Sequence, residues 1–194
     1  MASPPKVRPP SAAGSRKRDS AWQAWRIADG RFDPFSAIGA SLMGGRWNSP
    51  GLGVIYACRT YGGAMLECLA HAGIGRAPRT QVAIPITIPG AVSVETHDGS
   101  MLPSGWDEPD LTVGRAFGNA WIRELRSAVL MVPSVVARKE SNVIINPLHP
   151  DFKAILVGSA EPVVWDARLF ARRPARGTGA RAAGRSKRAS PHRR

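Results

Sequence analysis

The apolar runs in this chain are short, and proline, glycine or polar residues end each one before it reaches the length of a long helix. Residues 54–57, 81–88, 92–94, 129–137, 142–145, 155–157 and 162–165 are β-branched or alternating, the pattern of short strands. Pro85 inside the second of these points to an edge strand or a bulge, and Pro133-Ser134 interrupts the fourth. Residues 21–27, with Trp22 and Trp25, fit a strand or a short helix, and 35–42 reads as a small apolar loop on the core. Only two stretches have helical spacing. One runs from about Gly62 to Ala72, with Thr60 as N-cap, Gly73 past its end, and Met65, Leu69 and Ala72 on one face. The other runs from Gly114 to Arg126, where Phe117, Trp121, Ile122 and Leu125 share a face. Strands and helices do not alternate regularly, so the expected class is α+β: a compact mixed or antiparallel β core with flanking helices around a cleft.

A net charge of +13 suggests nucleic acid, but its distribution does not. Residues 1–18 hold five Lys/Arg and 171–194 hold nine, and neither stretch has an acid. The remainder keeps 13 basic against 14 acidic groups, so the middle of the chain is close to neutral. Both ends are rich in Ala, Ser, Pro, Gly and Arg and have little to bury. Residues 1–20 and 171–194 are therefore expected to be disordered basic tails around one domain, 21–170. Such tails can add salt-sensitive attraction to nucleic acid, while the folded domain is not expected to bind it directly. No apolar run is long enough for a membrane helix, and the N-terminus lacks the apolar region of a secretory signal. A cytoplasmic location is the resulting expectation.

Several common chemistries leave no trace. There is no GxGxxG opening a helix, no P-loop, no HExxH and no GxSxG. His71, His97, His149 and His192 are far apart, and Cys58 and Cys68 have no CxxC partner, so no metal site is expected. The two cysteines read as small core residues rather than a disulfide. Cys68 lacks local support as a nucleophile, because Glu67 beside it would raise a thiol pKa.

What remains is a constellation around residues 44–67. Arg46 lies in Gly-Gly-Arg-Trp, where a guanidinium fork can meet phosphate oxygens and glycine lets a diphosphate come close. A buried ion pair or a stack on tryptophan would account for Arg46 equally well. Tyr56 ends an apolar strand, where it serves as core or stacks on a flat ligand or its ribose. Glu67 interrupts an apolar half-helix, facing either solvent or a pocket. Arg26 follows a tryptophan in an apolar segment, and Ser134 follows Pro133. Asn142 and Asn146 flank an apolar strand, and Asn146-Pro147 reads most simply as a turn.

These residues, in this order, resemble a RES domain, a family named for its arginine, glutamate and serine. The matching pieces are Trp25-Arg26-Ile27, residues 45–51 (Gly-Arg-Trp-Asn-Ser-Pro-Gly), residues 54–57, the helix with Glu67, residues 132–136 and residues 140–151, which include Asn-Pro-Leu-His-Pro-Asp. They span about residues 22–170 and leave out both tails. The resemblance implies a fold similar to ADP-ribosylating toxins and a role as toxin in a bacterial toxin–antitoxin pair. It further implies destruction of NAD by water or phosphate, or transfer of ADP-ribose to a protein. NAD is then a substrate, and no separate cofactor is expected. The implied partner is an Xre-like helix-turn-helix antitoxin whose C-terminal part blocks the active site. Carried over by position, the catalytic roles fall on Glu67, Arg46 and Ser134, and NAD binding falls on Arg26, Tyr56 and Asn146. The family often has an aromatic where this chain has Ile27, so a stacking surface is expected from Trp25 or Trp47. Two other readings stand beside this one: a basic nucleic-acid-binding module, and a catalytically inactive RES-like domain kept for partner binding.

Overall fold

The computed structural model describes residues 20–72 and 79–170. The expectations for the two basic tails, Ser20 apart, and for Gly73 lie outside the described residues. The elements in order are β1 (Trp22–Asp29), α1 (Ile38–Met43), β2 (Ile55–Cys58), α2 (Tyr61–Ala72), β3 (Gln81–Ile88) and β4 (Val94–Thr96). They continue with α3 (Thr112–Arg123), β5 (Val129–Pro133), β6 (Ser141–Ile145), β7 (Leu156–Val157) and β8 (Glu161–Pro162). One sheet holds them in the order β4-β5-β6-β2-β1-β3-β7, with β8 also on β3. Among the described residues only β4 and β5 pair in parallel; the other pairs are antiparallel. This is the mixed-sheet α+β class, and residues 22–29 take the strand alternative.

Strand alternation gives the sheet two apolar faces. Trp22 and Ala24 of β1, Ile55 and Ala57 of β2, and Val143 and Ile145 of β6 bury on one of them. Phe35 and Phe152 close that side, stacked with centroids 5.8 Å apart. Leu130, Val132 and Ile144 bury on the other, under Trp47, Trp106 and α3's Trp121 and Ile122.

Several local expectations change. Residues 38–43 form α1 rather than a loop. Pro85 does sit toward the sheet margin. β8 covers Val82 and Ala83 and β7 covers Ile86 and Thr87, so the missing N–H of Pro85 falls in the gap between two short outer strands. β5 stops at Pro133 instead of running to Ala137. α3 ends at Arg123, and Leu125, expected on its apolar face, lies beyond it in the left-handed region at φ 49°. On α2, Gly63 and Ala64 are the buried residues, while Met65 and Leu69 are half-buried and Ala72 is exposed. Small residues let α2 settle close to β1 and β2, which fixes where Glu67 points.

The Asn-Pro-Leu-His-Pro-Asp piece is a clasp at one end of β6. Asn146 donates from Nδ2 to the Ile122 carbonyl (3.1 Å) and accepts the Leu148 N–H (3.0 Å). His149 Nδ1 accepts the Asp151 N–H at 3.0 Å, and Asp151 Oδ2 accepts the Ser93 N–H at 3.0 Å. Because Nδ1 accepts, the ring proton sits on Nε2.

Candidate active site

α2 starts with a side-chain cap. The Thr60 hydroxyl accepts the Gly63 N–H at 3.0 Å and donates to Glu140 Oε2 at 2.9 Å, satisfying one orphan donor of the first turn. Gly63 faces the Cys58 and Glu140 side chains. Glu67 lies one helical turn further on the same side, so it too is aimed at the sheet.

There Glu67 Oε1 accepts two hydrogen bonds, from Ser134 Oγ at 2.7 Å and from Asn142 Nδ2 at 2.8 Å. Ser134 is buried to 1% exposure, and its Oγ also accepts the Ala137 N–H at 2.9 Å. Its proton is therefore directed at Glu67. Among the described residues Glu67 Oε2 has no hydrogen bond. One carboxylate oxygen is pinned by two donors, and the other is left for a ligand or water.

Asn142 is the residue that sequence reasoning passed over in favour of Asn146. Asn146 is fully buried in the clasp, with both ends of its amide bonded to backbone. It sits four residues along the chain from Asn142, roughly 13 Å along an extended strand. A signal was available: Asn142 is two residues before Ile144, so it shares a strand face with the second core. It pairs with Cys58 of β2 and Val132 of β5.

The other expected residues are placed differently. Arg26 is not brought to Glu67. Trp25 pairs with Cys58, so the next residue on β1 points to the opposite face. Arg26 Nε donates to the Pro34 carbonyl at 2.6 Å and Nη1 to the Tyr56 carbonyl at 2.7 Å, tying the 30–37 loop to β2. Burial lowers its pKa from the usual arginine value, against the opposing pull of Asp33. Arg46 donates from Nη1 to the Trp106 and Glu108 carbonyls at 3.1 and 2.9 Å. Its Nε and Nη2 have no hydrogen bond among the described residues.

Tyr56 shares the Cys58 face, but its hydroxyl is engaged. It donates to Asn48 Oδ1 at 2.7 Å and accepts the Trp47 N–H at 3.1 Å. Burial pushes its pKa up to about 12, with the Trp47 N–H and the charges of Arg115 and Arg46 pulling the other way. The ring, not the hydroxyl, is what it can offer a ligand. Gly45 is a glycine because the Tyr56 hydroxyl lies where its Cβ would be. Arg115 Nε holds the Gly45 carbonyl at 2.9 Å, and Asn119 Oδ1 accepts the Ser49 N–H at 2.9 Å. The 45–49 segment is thus seated by Tyr56 and α3, and this role of Arg115, Asn119 and the buried Asn48 was not foreseen.

Of the two tryptophans expected to stand in for an aromatic at 27, Trp47 is spent. It is 1% exposed, stacked on Trp106 at 5.8 Å. Trp25 is half-buried on the Cys58 face, edge-on to Tyr61 at 5.4 Å. Trp25 thus packs against Tyr61, the first residue of the Glu67 helix.

Residues 23–166 match the RES domain. The chain belongs to the RES domain family. It is 39% identical to the Prs ADP-ribosylating toxin of Sphingobium sp. (strain YBL2), over 75% of this chain and 95% of that protein. It is 33% identical to Toxin Res of Pseudomonas putida, over 75% of this chain and 98% of the relative. Its fold is similar to that of a chain in the M. tuberculosis MbcT–MbcA toxin–antitoxin complex. The TM-score is 0.63 at 17% identity, with 78% of this chain and 88% of that one covered. The RES match spans every residue of the Glu67–Ser134–Asn142 cluster as well as Arg26, Arg46 and Tyr56.

Chemically, the Glu67 cluster offers one oriented carboxylate with half-buried aromatics on the same sheet face, and Arg46, on the 45–49 segment, keeps donors unengaged among the described residues. Among the described residues no group of three or more His, Cys, Asp or Glu is arranged to hold a metal, and no helix is long and apolar enough to cross a membrane.

Proposed function

We propose that this RES domain is the toxin of a toxin–antitoxin pair and that it consumes NAD by cleaving the bond between nicotinamide and ribose. The observation that carries the reading is Glu67, held through Oε1 by Ser134 and Asn142 with Oε2 unengaged among the described residues. The name of one relative, an ADP-ribosylating toxin, supports the same substrate, and that of the Toxin Res relative supports the toxin role.

As the bond from ribose C1′ to the nicotinamide nitrogen lengthens, positive charge builds on the ribose. The bonding pair leaves with nicotinamide, which departs neutral because the bound ring was cationic, so no acid is needed to protonate it. A fixed carboxylate near C1′ or on the ribose hydroxyls stabilises the oxocarbenium-like transition state, as in glycoside hydrolysis. Ser134 and Asn142 hold that carboxylate still, so little reorganisation is needed as charge develops. Arg46 presents unengaged donors to the diphosphate, and the Tyr56 ring, Trp25 and Tyr61 provide apolar surface for the flat nicotinamide. Arg26, on the far face of β1, supports the strand that carries Tyr56. An acceptor then attacks C1′; water, phosphate or a nucleophilic protein side chain gives hydrolysis, phosphorolysis or ADP-ribosyl transfer. The antitoxin is an Xre-like helix-turn-helix protein whose C-terminal part covers this site.

Incubating the purified protein with NAD and measuring free nicotinamide tests the reading. Release that depends on Glu67 is expected. A folded wild-type protein that releases none, with water, phosphate or candidate protein acceptors present, overturns it.

A further inference from the structure

Cys58 lies opposite Asn142 in the β2–β6 ladder, on the face that carries Glu67's partners. Its Sγ donates to Asn142 Oδ1 at 3.2 Å, while the other end of the same amide donates to Glu67 Oε1 at 2.8 Å. Thiol, amide and carboxylate therefore form a directed chain with Ser134 closing on the carboxylate from the other side.

An asparagine amide has two orientations of nearly identical shape. In one, its NH2 meets Glu67. In the other, a carbonyl oxygen faces a carboxylate oxygen, which is repulsive. Glu67 itself favours the first orientation, but a carboxylate that must also meet a ligand is strained by any rocking of its donor. A second contact at the far end of the amide removes that freedom. We infer that Cys58 is a positioning residue for Glu67, acting through Asn142 by holding its amide with NH2 toward the carboxylate. The inference rests on the proposed role of Glu67 in NAD cleavage and adds to it a residue outside the reacting groups.

The surroundings suit a donor and not a nucleophile. Burial, then the charges of Glu67 and Glu140, push the Cys58 thiol up to about 12, so it keeps its proton at neutral pH. Cross-strand pairing fixes the spacing, since directly opposed residues have Cβ atoms about 5 Å apart.

Three substitutions separate hydrogen bonding from packing. Cys58→Ser keeps a donor but loses volume. Cys58→Val has no donor, suits a strand and adds one carbon to the buried site, so it errs in volume in the opposite direction to serine and alanine. Cys58→Ala loses both donor and volume. If the thiol positions the amide, serine retains most of kcat, whereas valine and alanine lower it by about 5- to 10-fold with KM little changed, the range expected for one neutral hydrogen bond. The Asn142 side-chain NH2 signals, assigned in NMR spectra by their loss in Asn142→Ala, give a readout besides activity. They stay single and slowly exchanging in wild type and Cys58→Ser, and broaden or exchange faster in Cys58→Val. A valine variant with wild-type kcat and unchanged Asn142 signals overturns the inference, as does a folded serine variant as impaired as valine. Should wild type release no nicotinamide, the proposed activity fails, and the amide signals still decide whether Cys58 orients Asn142.

Discussion

Ser134 has one proton, and the Ala137 N–H occupies an acceptor position of its oxygen, so the proton goes to Glu67. A hydrogen bond to a charged group is worth about 1.5–3 kcal/mol, so Ser134→Ala is expected to lower NAD turnover about 10- to 100-fold. The Glu67→Gln change is more informative. A glutamine oxygen still accepts from Ser134 and Asn142, so the protein stays folded with its Tm nearly unchanged, but the charge is gone. NAD loss should fall to background; full turnover in a folded Glu67→Gln protein would remove Glu67 from the mechanism. Tyr56→Phe separates the other cluster. It leaves Asn48 Oδ1 and the Trp47 N–H without their partner, a loss of about 1–3 kcal/mol for buried polar groups. Thermal unfolding should register it clearly, and KM for NAD should change more than kcat because the Arg46 segment loosens.

At the scale of elements, the 45–49 segment depends on how closely α3 approaches it. A Cβ on Gly118 would collide with the Trp47 carbonyl, and one on Gly114 would come 2.8 Å from the Arg46 carbonyl. Gly118→Ala is therefore expected to destabilise strongly, as overpacking does, by about 1–3 kcal/mol or more. Gly62 on α2 meets nothing within 4 Å, and Gly62→Ala should be neutral or stabilising by up to about 1 kcal/mol. Equal melting temperatures for the two variants would refute this account of α3. The two long helices, the Thr60 cap and most strand positions were legible in the sequence because each rests on local pattern, although residues 163–165, expected as strand, lie outside β8. The Glu67–Ser134 pairing was legible only through family resemblance, since the two lie 67 positions apart. Asn142, Arg115 and the loss of Trp47 to the core were not legible, because strand register and helix approach decide them. The same holds for Glu95 on β4. It is 5% exposed, and His97 bonds it at 2.6 Å and Arg126 at 2.8 Å. Burial alone would raise its pKa, but the His97 hydrogen bond and the Arg126 charge outweigh it and leave the value below the ordinary 4.5. A depressed carboxylate pKa contributes stability in full above the ordinary value and loses it as pH falls through the folded-state value. The Tm gap between wild type and Glu95→Gln should thus be widest near neutrality and close on acidification below that ordinary value.

For the whole molecule, charge and chemistry occupy different parts of the chain. The RES match covers residues 23–166, and the nine basic residues of 171–194 lie beyond it. All the residues assigned to NAD lie inside the match. Attraction to a polyanion instead grows with the number of phosphates neutralised, with log K falling by about 0.9 per contact for each unit of log salt on duplex DNA. The last 24 residues set one property and the domain the other. Deleting 171–194 should leave nicotinamide release within about 2-fold, since every residue assigned to NAD is retained. The same deletion should abolish most retention on duplex DNA at low salt and flatten its salt dependence, because the remaining chain holds far fewer excess cations. If the truncated protein instead keeps its salt-sensitive DNA binding and loses NAD turnover, the division between tail and domain is wrong, and the near-neutral domain must present a basic face.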